Sequence, residues 1–326
     1  HGVRAIGVSR GTGMGVYGLL RVGVLAFGLS GLFAAAGAAE PFMVGPEECK
    51  ECHENEFEVW EQTPHAESFR DLHRNRDSRG YLRAVGDRRP QRSETCQICH
   101  YTMAQDGADA EPEAVAGPSC ESCHGASSDW IEVHNDYGGK DVKREQESAA
   151  HKQQRIQQAK AAGMIWPQMK YAATRNCLQC HGMNTDELDG ATMTKLLDAE
   201  HPINGEFEYI KYSQGVVRHR FYPPQTDVNQ ELTPALKSEW FAVGQAASLV
   251  AANESLDKTD NARYQDAMQQ RIAFAERVLS QIPEASQVLG EPSDANARAF
   301  AEAIAGKDLT GAVGDLMPAQ GDYIGD

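Results

Sequence analysis

Four copies of the pattern Cys-x-x-Cys-His use all eight cysteines of this chain. In this spacing two thiols can add to the two vinyl groups of one haem, and the histidine that follows can bind its iron. A disulfide scaffold or a zinc site would not explain a histidine after every second cysteine. The pattern therefore predicts four haem c groups bound through Cys49, Cys52, Cys96, Cys99, Cys120, Cys123, Cys177 and Cys180, with His53, His100, His124 and His181 as iron ligands.

Residues 1–39 have the composition of a secretory signal peptide. Three arginines, and no acidic residue, accompany an apolar run over residues 22–36, and the segment ends in small residues near Ala38 and Ala39. The apolar run is shorter than the roughly 20 residues that span a bilayer. We therefore expect cleavage and export to the periplasm, where haem is attached to c-type cytochromes. The alternative is an uncleaved signal that acts as a membrane anchor.

The charge of the chain argues against nucleic acid as a partner. Removal of the three arginines of residues 1–39 changes the formal net charge from −16 to −19, so DNA and RNA would be repelled. One stretch is basic, with arginines at positions 70, 74, 76, 79, 83, 88, 89 and 92. These arginines could bind an acidic redox partner, pair with haem propionates or be solvated.

The sequence predicts a mainly α fold with long loops, in which the haems form much of the core. Residues 40–224 hold all four motifs, which leaves roughly 45 residues per haem, too few for a separate apolar core around each group. Residues 225–326 contain no cysteine or histidine and predict a C-terminal helical extension. The predicted division is thus a signal peptide at 1–39, a tetrahaem domain at 40–224 and the extension at 225–326.

Local signals predict individual helices and one loop. Helices are expected at residues 46–62 and 142–162, and the acidic stretch 106–118, with two prolines and two glycines, reads as a loop. In the extension, Thr233-Pro234 is typical of a helix start, and Leu236, Trp240, Val243, Ala247 and Val250 follow at helical spacing. Further helices are expected at 261–281 and 293–306, with the last dozen residues ragged.

Six histidines outside the motifs are candidates for the second iron ligand. They are His65, His73, His134, His151, His201 and His219, more than four haems need. His65 lies twelve residues after His53 on a predicted helix, about 18 Å away, whereas two ligands of one iron lie about 4 Å apart. His65 should therefore serve a different motif, and the same reasoning separates His134 from His124. Of the remaining four, His201 could replace His219 at the fourth motif, and His73 and His151 look like surface residues.

The chain resembles the tetrahaem cytochrome c-554 family. The resemblance covers roughly residues 43–222 and lies in Cys49-Lys-Glu-Cys52-His53 with Trp60, in Thr63-Pro64-His65-Ala66, in Cys120-Glu-Ser-Cys123-His124-Gly125 with His134, and around His219. It implies that His65 ligates the haem of the third motif, His134 that of the first and His219 that of the fourth. The haem of His100 would lack a second protein ligand.

The resemblance implies a periplasmic electron carrier, with no catalytic residue of its own. Its donor would be an octahaem hydroxylamine-oxidising enzyme or a similar dehydrogenase, and its acceptor another cytochrome. An alternative is an enzyme that reduces nitric oxide, or a related nitrogen or sulfur species, at an open iron on His100. A third interpretation is a haem subunit of a larger redox complex, held by residues 225–326.

Overall fold

The computed structural model describes residues 40–325, so the predicted signal peptide lies outside the described residues. Helices make up 55% of the structure and strands 3%, which confirms the mainly α prediction. The helices up to the fourth motif are α1 (Pro46–Lys50), α2 (Glu54–Glu61), α3 (Pro64–Asp71), α4 (Ser78–Val85), α5 (Glu94–His100), α6 (Cys120–His124), α7 (Ile131–His134), α8 (Ala149–Ala161) and α9 (Lys170–His181).

Seven further helices follow the fourth motif. They are α10 (Gly190–Asp198), α11 (Tyr209–Ser213), α12 (Pro234–Ser255), α13 (Ala262–Leu279), α14 (Ser286–Gly290), α15 (Asp294–Ala303) and α16 (Thr310–Val313). The helices expected at 261–281 and 293–306 are therefore present as α13 and α15, within a few residues at each end.

The loop predicted at 106–118 is wrong in part, because it contains a strand. β2 (Glu113–Ala116) pairs antiparallel with β1 (Thr102–Ala104). The buried Thr102 hydroxyl also donates to the carbonyl of Gly117, just beyond β2. Pairing with a partner strand, rather than local propensity, orders this acidic segment.

Two of the predicted helices are shorter than expected. The helix expected over 46–62 is interrupted at residues 51–53, because the backbone of His53 has φ −121° and ψ 47°, outside the helical region. The helix expected over 142–162 begins only at Ala149, where the hydroxyl of Ser148 accepts the N–H of His151 as an N-cap.

The main apolar core lies between α9 and the C-terminal helices. Leu178 of α9 packs in one buried cluster with Phe241 and Leu249 of α12 and Val278 of α13. Each such fully buried side chain contributes about 1.5–3 kcal/mol to folding. The helix that bears the fourth motif is therefore anchored by the extension. The proposed domain boundary at residue 224 stays a prediction.

The long helix α12 begins as its sequence predicts. The hydroxyl of Thr233 accepts the N–H of Leu236, with Pro234 at the first helical position. Four of the five apolar positions expected to face the core are buried, but Leu236 is 38% exposed because it lies in the first turn. Among residues 40–325, no helix has both the length and the apolar character needed to cross a membrane.

The C-terminal residues are ordered, contrary to the expectation of a ragged end. Tyr323 is buried, and its hydroxyl accepts a hydrogen bond from the ammonium of Lys237 on α12. The N–H of Ile324 donates to the carbonyl of Lys211, and the Ile324 carbonyl accepts the N–H of Val216. These bonds join the chain end to α11 and the turn after it.

Candidate haem-binding site

Three of the four Cys-x-x-Cys-His motifs lie on single helices. The second is on α5, the third forms α6, and the fourth ends α9. Residues three and four apart share a face of an α-helix, so both thiols and the histidine of each motif point to the same side. In the first motif, Cys49 lies on α1 and His53 immediately precedes α2. All eight cysteines are free thiols and available for haem attachment.

Each motif histidine faces a second histidine from a distant part of the chain. The ring centres are 6.3 Å apart for His53 and His134, and 6.2 Å apart for His100 and His201. The other two pairs are His124 with His219 at 6.2 Å and His181 with His65 at 5.9 Å. The sequence-predicted ligands are thus brought together as four pairs.

These distances fit one iron between the two rings of each pair. Two metal–imidazole bonds of about 2.0–2.1 Å, plus about 1 Å from each bonding nitrogen to its ring centre, give a separation of about 6 Å. Packed rings elsewhere in the chain, such as Phe69 and Tyr101 at 6.0 Å, have similar separations, so the evidence is that every motif histidine has a second histidine at this distance. The residues present therefore fit a haem iron held between two imidazoles at each motif.

Hydrogen bonds orient several of these imidazoles with one nitrogen free. The Nδ1 atoms of His124 and His201 each lie 3.0 Å from a backbone carbonyl oxygen, and those of His134 and His219 lie 2.6 Å from one. An Nδ1–H that donates to a carbonyl leaves Nε2 as the metal ligand. Burial also lowers the pKa of His100 to about 4, which keeps its ring in the neutral form that binds metal.

The pairing differs from what the family resemblance implied at three positions. His65 faces His181 of the fourth motif rather than His124 of the third, and His219 faces His124 rather than His181. His100, expected to lack a partner, faces His201. His134 faces His53 of the first motif, the motif at which the resemblance placed it.

The path of the chain between the motifs explains why His65 faces His181. α3, which begins one residue before His65, packs on α5, and α5 in turn packs on α9, which ends in His181.

The two remaining histidines belong to no pair. His73 is exposed, and His151 makes a hydrogen bond of 2.9 Å to Glu147, a structural contact shared with Arg155.

The motif helices contact one another in the order first, third, fourth and second. α1 packs on α6, α6 on α9, and α9 on α5. Thiols of different motifs also lie close together, since the neighbouring thiol of Cys120 raises the pKa of Cys49 and that of Cys180 raises the pKa of Cys99. The attachment sites therefore form one continuous row rather than four separate centres.

Glu121, the residue after the first cysteine of the third motif, holds the first and third motifs together. Its buried carboxylate accepts the N–H groups of Val44 and Gly45, which immediately precede α1, and also binds the N–H and hydroxyl of Ser127. Substitution of Glu121 would destabilise the fold, because loss of the carboxylate would leave buried N–H groups unpaired. An acidic residue inside a haem motif is only a weak signal for this role, so it was not predicted from the sequence.

A mainly helical fold with Cys-x-x-Cys-His helices, each histidine facing another across the space for an iron, defines a c-type cytochrome, a protein with covalently bound haem c. Residues 48–125 match the family described as cytochrome c554 and c-prime, which supports the resemblance to that family. The matched segment contains the first three motifs. No curated protein and no solved structure matches the chain.

Proposed function

We propose that this protein is a periplasmic tetrahaem cytochrome that transfers electrons between redox proteins. The observation that carries the proposal is the pairing of all four motif histidines with His134, His201, His219 and His65. Each pair would hold one haem, attached to the two cysteines of the same motif. When bound, such a haem supplies a one-electron exchange between ferric and ferrous iron.

The pairing of His100 with His201 favours the carrier over the enzyme. Reduction of nitric oxide at iron would require a vacant axial position, and the resemblance to the family had implied one at His100. Here the ring of His201 stands 6.2 Å from that of His100 and is packed against the ring of Tyr81 at 5.0 Å. A substrate would first have to displace a histidine that the fold holds in place.

The order of the motif helices supports a carrier with two ends. Because α1 packs on α6, α6 on α9 and α9 on α5, the first and second motifs lie at opposite ends of the row. Close succession of redox centres is what conduction through one protein requires. We propose that electrons enter at one of these ends and leave at the other.

A basic surface beside the second motif is the proposed docking site of an acidic redox partner. All eight of its arginines are exposed, and the ion pair of Arg74 with Asp71, at 3.9 Å, involves two exposed side chains. Tyr81, in the same stretch, contacts His201. We call this set the arginine surface; its members are Arg70, Arg74, Arg76, Arg79, Arg83, Arg88, Arg89 and Arg92.

Two further features support a free carrier in the periplasm. The composition of residues 1–39 is that of an export signal, and haem attachment to such motifs takes place after export. The C-terminal helices bury their apolar faces within the chain, with Phe241 and Val278 fully enclosed. The apolar faces of the extension therefore pack within this chain, which gives the larger-complex interpretation less support.

Haem counting together with carbon monoxide binding tests the proposal. Mass spectrometry of the exported protein should show four haem additions, and the visible spectrum of the reduced protein should not change when carbon monoxide is added. Fewer than four haems would refute the tetrahaem assignment. Carbon monoxide binding by one of four haems would instead restore the enzyme hypothesis.

A further inference from the structure

Arg271 of α13 is a buried cation whose hydrogen bonds are incomplete. Its side chain is 5% exposed. Nη2 donates to the carbonyl oxygen of Asn204, while Nε and Nη1 have no partner among residues 40–325. A buried polar group without a partner costs about 1–3 kcal/mol, and more when it is charged. Something must therefore compensate this guanidinium.

The guanidinium lies beside the fourth motif. Gly182 follows His181, and a Cβ atom placed on Gly182 would come within 3.1 Å of Nη1 of Arg271. Tyr264, on the same helix, donates its hydroxyl proton to the Gly182 carbonyl at 2.6 Å. Asn204, which accepts from Nη2, has its amide nitrogen 3.1 Å from Nδ1 of His181. Two separate contacts thus place Arg271 next to the histidine of this motif.

The described residues supply no anion for Arg271. No aspartate or glutamate of residues 40–325 lies within ion-pair distance of it, and the titratable groups that interact with it are the Tyr264 phenol and the His181 imidazole, neither of which is an anion at neutral pH. Burial lowers the pKa of Arg271 to about 10, so it is still a cation at neutral pH. The C-terminus of α9 offers a partial negative charge, but it accepts no hydrogen bond from Nε or Nη1.

We propose that the guanidinium of Arg271 binds a propionate carboxylate of the haem attached to Cys177 and Cys180. The inference rests on the proposed function, since it requires a haem at the fourth motif. Haem c carries two propionates, and arginine makes short, charge-assisted hydrogen bonds to carboxylates. The unsatisfied donors, the missing anion and the position beside His181 are then explained together.

This contact assigns a role to the extension. A cation held in a buried site favours the ferrous state, which carries one positive charge fewer than the ferric state, so Arg271 raises the potential of the fourth haem. Through Arg271, residues 225–326 therefore tune one haem of the row.

Substitutions at Arg271 test the inference, with Arg277 as the matched control on the same helix, where it is exposed. Spectroelectrochemistry of Arg271→Gln should show one of the four potentials lowered, so that the ratio of oxidised to reduced haem at a fixed potential rises about tenfold, equivalent to 59 mV for one electron. Arg271→Lys keeps the charge and should move that potential less, and Arg277→Gln should leave all four unchanged.

Infrared spectroscopy reports on the propionate itself. In redox difference spectra of protein with ¹³C-labelled haem propionates, one carboxylate band should shift in both Arg271→Gln and Arg271→Lys, because either change alters the hydrogen bonds. Four haems with unchanged potentials and unchanged carboxylate bands in these variants would overturn the inference. If Arg271→Gln does not accumulate, the band of Arg271→Lys decides. Fewer than four haems in the wild-type protein would instead refute the proposed function.

Discussion

The imidazole rings of His100 and His201 face each other with their centres 6.2 Å apart. Two contacts hold His201 in this position: its Nδ1 lies 3.0 Å from the carbonyl oxygen of Pro202, and its ring packs against Tyr81. The hydroxyl of Tyr81 also donates to the Glu200 carbonyl. The histidine is therefore part of a small ordered unit that joins α4 to the end of α10, rather than a free surface group.

Loss of His201 should open one iron. We expect His201→Ala to keep four haems and, once reduced, to bind one carbon monoxide per protein, because His201 no longer occupies the second axial position. A titration followed by visible spectroscopy measures this. His73→Ala, at an exposed histidine outside the pairs, is the control and should bind none. Equal carbon monoxide binding by wild type and His201→Ala would show that His201 is not a ligand.

The position of His201 could not have been predicted from its neighbours in sequence. After α10 the chain turns sharply: Glu200 adopts φ 68°, and the N–H of His201 donates to the Leu196 carbonyl. A non-glycine residue rarely takes this left-handed conformation, so a glutamate at this position does not predict the turn. The turn directs His201 back towards α5, a tertiary relationship that no local pattern encodes.

A second prediction concerns whether His65 serves the haem of the fourth motif or that of the third. His65→Met should alter the spectrum of one haem in the intact protein, because His65 faces His181. The same change should have no spectral effect once Cys177→Ser and Cys180→Ser remove the fourth haem. The spectral change caused by His65→Met should still be seen when Cys120→Ser and Cys123→Ser remove the third haem. The opposite pattern would support the arrangement implied by the family resemblance.

Where the motif-deleted proteins do not assemble, nuclear magnetic resonance of the intact protein gives the same answer. The ring protons of His65 should show a cross-relaxation peak to a methyl group of the haem whose other axial ligand is His181. A peak to the haem of His124 would contradict the pairing seen here.

Helices and haem attachment were more predictable than ligand pairing. Cys-x-x-Cys-His is a local pattern, and so are the cap at Thr233 and the apolar spacing of α12, all of which the structure contains. The pairing of His65 with His181 joins residues more than a hundred positions apart, and β2 depends on β1 for its hydrogen bonds. Such features depend on long-range packing, so a single sequence did not reveal them.

The angles between paired rings predict distinct electron paramagnetic resonance signals. The ring planes of His53 and His134 make an angle of 22°, whereas those of His124 and His219 make an angle of 90°. Near-parallel imidazole planes separate the energies of the iron d orbitals that interact with them, whereas perpendicular planes leave those energies nearly equal. We expect a rhombic low-spin signal that His134→Met abolishes, and a strongly anisotropic one that His219→Met abolishes. If His219→Met removed the rhombic signal instead, the ring geometry described here would be wrong.

Glu208 should make stability depend on pH. Its carboxyl is enclosed beside α11, with Oε1 unpartnered, and burial raises its pKa from 4.5 to about 7. The folded state therefore holds a proton that the unfolded state has lost between pH 4.5 and 7. The free energy of unfolding falls as the pH rises through this range, by up to about 3 kcal/mol from this group.

Glu208→Gln should remove this part of the pH dependence, since the amide does not ionise. Denaturant unfolding followed by circular dichroism at pH 4 and pH 8 measures this. The free energy of unfolding should fall less between pH 4 and pH 8 in the variant than in the wild type. Glu206→Gln, at an exposed position on the same turn, is the control and should follow the wild-type curve. A Glu208→Gln curve parallel to wild type would show that the carboxyl does not titrate in this range.

The arginine surface should control the rate of reaction with anionic redox partners. Ferricyanide, a small anionic oxidant, should oxidise the reduced protein several-fold more slowly in stopped-flow experiments after Arg76→Gln, Arg79→Gln and Arg83→Gln together, because the attraction near the second motif is lost. The difference should shrink as salt is added. The control combines Lys140→Gln, Lys143→Gln and Arg144→Gln, three exposed cations elsewhere, and changes the net charge equally. Equal slowing in both variants would mean that overall charge, and not this surface, guides the partner.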